Sequence, residues 1–273
     1  MQEVKGDYGA WAMVAGAAEG IGEGFCHVLA EKGFNLILVD NNEPAMAYVA
    51  TKIRQKHRVE TMELTLDLAS AEASMECMKV VTSTDCRLLI YVAAYSRVCP
   101  FNELEPAELD QFLSINTRTL LHLVHGFSNR LIAESKTGGI LLVSSLAGLI
   151  GPSWVATYAA TKSFSIRLTE ALYQELKDHD IDITVCCMGT VSTPTYWKGK
   201  PSFEKMKPPI MQPAEAAGYA ISQLGVKPIC IPGITNRLQY FFLMNLIPRR
   251  LASRLVNNAM EKMYGKKSVT GDA

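Results

Sequence analysis

Short apolar runs alternate with helical stretches along nearly the whole chain, and this alternation constrains the fold more than any other feature. Seven runs have the length and apolar content of strands: Trp11–Ala15, Asn35–Val39, Val59–Leu66, Leu88–Ala93, Ile140–Ser144, Ile181–Cys187 and Ile229–Ile231. Segments with helical spacing lie between them: Ile21–Lys32, Pro44–Lys56, Ala71–Thr82, Pro106–Glu134, Ala156–Lys177 and Ala214–Leu224. Apolar strands separated by helices predict a parallel sheet covered on both faces. Right-handed crossovers make it an open, doubly wound α/β sheet.

Charge and composition exclude several classes of protein. Lys and Arg number 27, as do Asp and Glu, and hydrophobic residues make up 48% of the 273 residues. This composition is that of a folded domain and excludes a disordered chain. Zero net charge without a long basic run argues against nucleic acid or an anionic membrane as the main partner. The run Leu238–Ile247 is too short to span a bilayer, so no transmembrane segment is expected.

Cysteine and histidine positions bear on compartment and metal content. The seven cysteines lack a C-x-x-C pair, and an odd number without a framework indicates free thiols in a reducing compartment. The N-terminal segment lacks the basic region of a signal peptide. We therefore expect a cytoplasmic location. His122 and His125 lack a third ligand nearby in the sequence, which favours packing over a metal site.

We expect one domain over residues 1–273, with two segments outside the alternating pattern. Residues 188–213 contain five prolines and predict a long surface loop, typical of a lid. Its lysines either attract a phosphate-bearing carrier, such as coenzyme A or an acyl carrier protein, or form a solvated loop: Lys198, Lys200, Lys205 and Lys207. Residues 233–265 predict a C-terminal helical region. Its run LQYFFLMNLIPRRL can lie on a membrane surface, cap an apolar pocket or pack in the core.

A glycine-rich turn, Gly16-Ala17-Ala18-Glu19-Gly20-Ile21-Gly22, separates the first predicted strand from the first helix. Glycines let the backbone turn tightly and approach a pyrophosphate, which the helix N-terminus then holds. The spacing differs from the G-x-G-x-x-G of many dinucleotide folds, and such turns also serve plain packing. Its position after an N-terminal strand nevertheless favours a nucleotide site.

Two acids follow the second and third predicted strands. Asp40 lies eighteen residues beyond Gly22, where a carboxylate accepts hydrogen bonds from both hydroxyls of an adenosine ribose and repels a 2′-phosphate. The alternative is a solvated aspartate that caps the next turn. Asp67 likewise either holds the adenine amino group or caps the following helix.

Four Tyr-x-x-x-Lys pairs occur in the chain: Tyr48/Lys52, Tyr158/Lys162, Tyr173/Lys177 and Tyr196/Lys200. Each places a phenol and an ammonium on one helix face, where the cation lowers the pKa of the phenol toward neutrality. Tyr158 differs from the others because its helix follows the fifth strand, beside the switch point of the sheet. It also has Ser145 thirteen residues upstream. We therefore assign the catalytic role to Tyr158.

The chain resembles the short-chain dehydrogenase/reductase family over about residues 8–195, through the order and spacing of Gly16–Gly22, Asp40, Asn116, Ser145, Tyr158 and Lys162. The resemblance implies a Rossmann fold. It also implies that Tyr158 exchanges the proton at the substrate oxygen and that Ser145 orients this oxygen for hydride transfer. Lys162 would lower the tyrosine pKa and hold the nicotinamide ribose. Asn116 would fix a water in a proton relay to solvent.

The predicted cofactor is NAD, and its binding residues are Gly16, Ala18, Glu19, Gly20, Ile21, Gly22, Asp40, Asp67, Leu68, Ala93, Ala94, Tyr158, Lys162, Gly189, Val191 and Thr193. The sequence departs from the family pattern in three places. Ala15 replaces the usual Thr, Met188-Gly189 replaces Pro-Gly, and residues 92–95 (Val-Ala-Ala-Tyr) replace Asn-Asn-Ala-Gly. None of these changes removes a catalytic group.

The sequence therefore predicts an NAD-dependent oxidoreductase that interconverts a secondary alcohol and a ketone. Aromatic residues near the expected pocket favour an apolar small-molecule substrate, either a hydroxyacyl thioester or a ring hydroxyl: Trp154, Tyr196, Trp197 and Phe203. The alternative is a catalytically idle relative that binds nucleotide or a partner subunit, as the altered residues 92–95 would allow. Apolar residues on more than one face of the helices at 106–134 and 156–177 predict a homodimer or homotetramer.

Overall fold

The computed structural model describes residues 6–198 and 209–264. Seven parallel strands form one sheet in the order β3-β2-β1-β4-β5-β6-β7. The strands are β1 (Trp11–Ala15), β2 (Asn35–Asp40), β3 (Thr61–Thr65), β4 (Leu88–Tyr91), β5 (Gly138–Ser145), β6 (Ile181–Met188) and β7 (Ile229–Cys230). The strand order reverses between β1 and β4, as in doubly wound sheets. The predicted fold class is confirmed.

Eleven α-helices occur among the described residues: α1 (Gly20–Glu31), α2 (Glu43–Lys56), α3 (Ala73–Ser83), α4 (Pro106–Leu113), α5 (Leu120–Ala133), α6 (Ala147–Ile150), α7 (Ala156–Glu175), α8 (Pro194–Lys198), α9 (Pro213–Ser222), α10 (Ile234–Phe241) and α11 (Arg249–Tyr264). Helices α1, α2 and α9 contribute to the core on one face of the sheet. Helices α3, α5 and α7 contribute to the core on the other face. Within residues 6–198 and 209–264, every helix is too short or too polar to cross a membrane.

The central strands are apolar throughout because both of their faces are buried. On β1, Ala12 and Val14 belong to one core layer, and Met13 belongs to the other. Burying a side chain of the size of Val or Met contributes about 1.5–3 kcal/mol, so a polar residue on either face would be costly. The edge strand β3 is partly exposed along its length. Because β3 is partly exposed, polar and apolar residues alternate in the predicted strand Val59–Leu66.

The predicted helix Pro106–Glu134 is interrupted between α4 and α5 by a π-helical turn, Ser114–Thr119. In this turn the Ile115 carbonyl oxygen accepts a hydrogen bond from the Tyr91 hydroxyl at 2.7 Å. The stretch is thus helical from Pro106 to Ala133, and the π-helical turn is an irregularity within it that the sequence did not predict. A π-turn adds one residue to a helix and leaves the apolar pattern on either side largely intact, so periodicity does not detect it.

The chain leaves β4 at Tyr91, two residues before the predicted strand end at Ala93. The backbone amides of Val92 and Ala93 both donate to the carbonyl oxygen of Ala15, each at 2.9 Å. Strand β4 cannot continue its regular pairing with β1 when two of its successive amides donate to the same carbonyl oxygen. The chain therefore turns away beside the glycine-rich turn that follows β1.

Beyond β6 the predicted lid, residues 188–213, contains α8 and a single parallel bridge between Val191 and Met211. Residues 199–208 lie outside the described part of the chain, and with them Lys200, Phe203, Lys205 and Lys207. The C-terminal region continues as α10, a π-helical turn (Phe242–Leu246) and α11.

Candidate active site

A cavity of about 880 Å³ opens at the carboxyl ends of the central strands. Its volume lies within the range of about 300–1,000 Å³ that is usual for ligand pockets. The predicted residues that line it are Gly16, Ala18, Glu19, Gly20, Ile21, Asp40, Asp67, Leu68, Ala93, Ala94, Ser145, Tyr158, Lys162, Gly189, Val191 and Thr193. Gly22 and Asn116 do not line the cavity and act from behind its wall.

The glycine-rich turn permits a close approach of backbone segments. Gly16 has a φ of +88°, and a Cβ there would lie 2.7 Å from the Ala93 backbone nitrogen. A Cβ on Gly22 would lie 1.7 Å from the Gly16 carbonyl oxygen. None of the described side chains caps α1, so the first-turn amides of this helix remain available at the cavity wall. Unpaired amides at a helix N-terminus suit a pyrophosphate, and the residues present fit a dinucleotide.

Asp40 ends β2 and connects the second strand to the glycine-rich turn. One carboxylate oxygen accepts the Ala18 amide at 2.9 Å, and the other accepts the Asn42 amide at 3.0 Å. The N-cap of α2 is Asn42, whose side chain accepts the Ala45 amide at 3.3 Å. Asp40 therefore caps the turn after β2, while Asn42 caps the helix, and Asp40 also lines the cavity. The Asp67 carboxylate accepts the Ala69 amide at 2.8 Å, so Asp67 both shapes a turn and lines the cavity.

Ser145, Tyr158 and Lys162 lie together at the floor of the cavity. Ser145 ends β5, and its hydroxyl oxygen accepts the Ala147 amide at 3.2 Å. Tyr158 and Lys162 lie one turn apart on α7, with the lysine Nζ 5.6 Å from the centre of the tyrosine ring. The ammonium is buried and donates to the Val143 carbonyl oxygen at 2.8 Å. The sheet thus supplies the serine and the acceptor for the lysine, and one helix supplies the other two groups.

The titration behaviour of this cluster is governed by burial. Burial lowers the pKa of Lys162 to about 8. Burial also raises the pKa of Tyr158, although part of its ring is open to the cavity, while a hydrogen bond with Ser145 acts in the opposite direction. Desolvation of the phenolate therefore dominates, and the tyrosine pKa is raised where the sequence predicted that the neighbouring ammonium would lower it.

Asn116 lies in the π-helical turn, almost fully buried, and its side chain makes three hydrogen bonds. Its Oδ1 accepts the Tyr95 amide at 2.7 Å, and its Nδ2 donates to the Tyr95 carbonyl oxygen and to the Thr161 hydroxyl, each at 3.0 Å. Asn116 thereby ties the loop after β4 to α7, at the residue directly before Lys162. Both amide protons and one acceptor position of the side chain are thus used within the protein.

Tyr95, which stands where the family usually has Gly, extends toward α4. Its hydroxyl donates to Glu108 at 2.7 Å, and its ring packs edge-on against Phe112 with centroids 4.8 Å apart. Arg97 forms an ion pair with the same glutamate. The Arg97 and Tyr95 hydrogen bonds lower the pKa of Glu108 to about 2. Tyr95 also lines the cavity.

The other three tyrosines of the Tyr-x-x-x-Lys pairs lie in different surroundings. Tyr48 is 59% exposed, and Lys52 lies over its ring. Tyr173 donates to the Gly225 carbonyl oxygen at 3.5 Å, away from the main cavity. Tyr196 lines the cavity, but its partner Lys200 is outside the described residues. Of the three pairs that the structure describes completely, only Tyr158 and Lys162 are both at the cavity, with Ser145 beside them.

The outer wall of the cavity comes from the C-terminal helices, which the sequence placed only as one of three alternatives. Their lining side chains are mostly apolar: Asn236, Gln239, Leu243, Val256, Met260, Met263 and Tyr264. Of the aromatic residues expected at the pocket, Tyr196 lines it, whereas Trp154 and Trp197 do not. The helical spacing of Val256, Met260 and Met263 was the signal that could have identified this wall.

Metal chemistry finds no support in the described side chains. Across residues 6–198 and 209–264, no group of three or more His, Cys, Asp or Glu is placed to hold a metal ion. His125 instead contacts the Asn129 amide at 3.1 Å. All seven cysteines are buried free thiols.

Comparison with known proteins decides the family. The family model for short chain dehydrogenase matches residues 10–202. The chain belongs to the short-chain dehydrogenase/reductase family. Members of this family are oxidoreductases that use a nicotinamide cofactor. A 7beta-hydroxysteroid dehydrogenase from Clostridium sardiniense is 30% identical to this short-chain dehydrogenase over 230 residues, which are 84% of this chain and 88% of that protein.

Other similar proteins differ from one another in the substrates and cofactors that their names give. A very-long-chain 3-oxoacyl-CoA reductase from Laccaria bicolor is 33% identical over 179 residues, 64% of this chain and 53% of that protein. A solved structure from work on 7beta-hydroxysteroid dehydrogenase stereoselectivity has a TM-score of 0.82 and 24% identity, covering 92% of this chain and 97% of its own. A short-chain dehydrogenase from Sphingobium yanoikuyae in complex with NADPH has a TM-score of 0.77 and 20% identity, covering 85% and 91%. These two structures share the fold of this short-chain dehydrogenase.

Proposed function

We propose that the protein is an NAD-dependent dehydrogenase that interconverts a secondary alcohol and a ketone on a bulky apolar substrate. The observation that carries the proposal is the joint placement of Ser145, Tyr158 and Lys162 at the floor of the cavity. A cluster with perturbed pKa values inside a pocket is typical of acid–base chemistry.

Each of the three side chains has a task in this proposal. The Tyr158 phenol, neutral because its pKa is raised, donates its proton to the ketone oxygen as that oxygen gains negative charge. The Ser145 hydroxyl holds the same oxygen in place. The Lys162 ammonium stabilises the phenolate left on Tyr158 from below the ring. A nicotinamide bound in the cavity supplies or accepts the hydride at the substrate carbon.

The proposed preference for NAD rests on the charges around the adenosine end of the cavity. Three acids line the cavity there: Glu19, Asp40 and Asp67. Among the described lining residues the cations are Lys162, at the catalytic floor, and Lys198, on α8. The Thr195 hydroxyl donates to Glu19 at 3.1 Å, which keeps that carboxylate beside the glycine-rich turn. A 2′-phosphate would meet carboxylates, whereas two ribose hydroxyls would find acceptors.

The proposed substrate class follows from the outer wall of the cavity. Leu243, Val256, Met260 and Met263 present an apolar surface to it. Methionine side chains adapt to irregular apolar shapes, which suits a fused ring or a long acyl chain. The names of the relatives, a 7beta-hydroxysteroid dehydrogenase and a very-long-chain 3-oxoacyl-CoA reductase, support both candidates. A ring ketone is favoured, because the steroid enzyme matches a larger share of this chain.

The test is steady-state reduction of a panel of fused-ring ketones and 3-oxoacyl thioesters with NADH. Tyr158→Phe is expected to lower kcat by about 10²–10⁴-fold while the Kd for NADH stays within about twofold of wild type. Tyr173→Phe, on the same helix, is the matched control and should retain most activity. If wild type binds NADH but turns over no member of the panel, the idle alternative holds.

We propose self-association through the helices that follow β4 and β5. Leu113 and Leu121 are 55% and 39% exposed on α4 and α5, whereas Phe112 and Leu123 are buried. Exposed leucines on otherwise packed helices favour a contact between copies. We expect a dimer or tetramer by light scattering, and Leu113→Glu with Leu121→Glu should reduce the mass to that of a monomer.

A further inference from the structure

The C-terminal helices carry an apolar outer surface on the side opposite to the cavity. Of the fifteen large apolar side chains that are exposed among the described residues, seven lie between positions 234 and 255. They are Ile234, Leu238, Phe241, Phe242, Leu246, Leu251 and Leu255, each 47–69% exposed. These seven residues are called the outer face below. So many exposed large side chains in one short stretch indicate an interaction surface.

Helical geometry separates the outer face from the cavity wall. On α10, Ile234, Leu238 and Phe241 follow one another at spacings of four and three and so share one side of the helix. Gln239 and Leu243, on the other side, line the cavity. On α11, Leu251 and Leu255 point outward, while Val256 and Met260 line the cavity and Ala252 is buried. Each helix therefore has one side toward the cavity and another side that exposes large apolar residues.

The segment that carries the outer face has an excess of positive charge. Residues 234–264 contain five cations and one acid: Arg237, Arg249, Arg250, Arg254, Lys262 and Glu261. Among the described residues, Arg249, Arg250 and Arg254 are not in any ion pair, and Arg237 lies over the Tyr219 ring. The zero net charge of the whole chain conceals this local excess. The expectation that an anionic membrane is not a main partner rested on zero net charge and the lack of a long basic run, and neither criterion detects cations spread over 31 residues.

We propose that the outer face binds the surface of a lipid bilayer that contains anionic lipids. Exposed Leu, Ile and Phe would enter the boundary between headgroups and acyl chains, and the arginines would contact anionic headgroups. Long arginine side chains reach the headgroups while their stems cover apolar surface. The apolar substrate cavity then lies directly behind the bound surface.

The charge argues against a second copy of the chain as the occupant. In a two-fold dimer the same patch meets itself, so the interface would gather Arg249, Arg250 and Arg254 of both copies, while each copy of residues 234–264 supplies one acid, Glu261. Like charges brought together at an interface are destabilising. A bilayer surface with anionic lipids supplies an apolar layer for the exposed side chains and negative charge for the arginines.

The experiment is co-sedimentation of the full chain with vesicles of phosphatidylcholine alone and of phosphatidylcholine mixed with phosphatidylglycerol. We expect binding to the mixed vesicles at low salt, at least about tenfold weaker binding to the neutral vesicles, and weakening at high salt. Arg250→Gln with Arg254→Gln should weaken binding to the mixed vesicles about tenfold, because each surface cation contributes several-fold. Leu238→Ser with Phe242→Ser should weaken binding to both kinds of vesicle.

The matched control replaces exposed apolar residues elsewhere, Met75→Ser with Phe101→Ser, which are 52% and 64% exposed. This variant should bind as wild type does. Circular dichroism and thermal unfolding verify that each variant is folded, and NADH titration verifies an intact cavity. The proposal is overturned if wild type does not bind mixed vesicles, or if the outer-face and control variants bind equally. It is also overturned if Leu238→Ser with Phe242→Ser dissociates an oligomer in light scattering without changing vesicle binding.

Discussion

Replacing the buried Lys162 tests how its burial affects the free energy of unfolding. Burial lowers the pKa of Lys162 from its ordinary value of 10.5 to about 8. Between these two values the unfolded chain keeps the proton while the folded protein has released it, so the free energy of unfolding rises with pH. The full rise is about 3 kcal/mol, at about 1.4 kcal/mol for each pH unit. In Lys162→Met this contribution is absent, because the side chain no longer titrates.

The measurement is urea unfolding, followed by tryptophan fluorescence, at a series of pH values from 7 to above 10. We expect the difference in unfolding free energy, wild type minus Lys162→Met, to stay constant below pH 8 and then to increase by about 3 kcal/mol. Other titrating groups cancel in this difference. Lys177→Met, at an exposed position, controls for the loss of a lysine from the same region. A constant difference, or one that falls with pH, would refute the assignment of a desolvated ammonium at the floor of the cavity.

Three further outcomes are expected from the same geometry. Asp40→Ser should lower kcat/KM with NADH about tenfold or more and shrink the preference over NADPH, as steady-state kinetics with both cofactors can show. Asn116→Ala should lower the free energy of unfolding by about 2–4 kcal/mol, measured with urea, because the Tyr95 backbone and Thr161 lose three hydrogen bonds. Burial raises the pKa of the Cys77 thiol to about 12. Stability is therefore lost above pH 9, and Cys77→Ala should show a smaller loss in alkaline urea titrations.

The sheet could be predicted because its determinants are local. Each of the seven predicted strands is present, and the parallel order follows from strands buried on both faces. The glycine-rich turn and Asp40 were placed correctly beside each other because both follow the carboxyl end of a strand. Such residues meet at one edge of a parallel sheet whatever the details of packing.

Other features could not be predicted because they depend on contacts between distant segments. The π-helical turn at 114–119 is matched to the Tyr91 hydroxyl, a partner from a different strand. Whether the pKa of Tyr158 is raised or lowered depends on how deeply α7 packs. The four Tyr-x-x-x-Lys pairs look alike in sequence, so the sequence does not show this depth. The use of the C-terminal helices as a cavity wall depends on how they fold back over the sheet. The helical spacing of Val256, Met260 and Met263 shows an apolar side on α11, but it does not specify what that side covers.

The altered stretch after β4 bears on the choice between an enzyme and an idle relative. Loss of the usual amides at 92–95 would matter if it released the loop from the structure. Asn116 instead holds the Tyr95 backbone through both its amide and its carbonyl, and the same side chain reaches Thr161 on α7. The Tyr95 side chain is held against α4 by its hydrogen bond to Glu108 and its ring contact with Phe112. The substitution therefore changes the lining of the cavity, where substrates are selected. It leaves the support beneath Tyr158 in place. Both effects favour an active enzyme with its own substrate range.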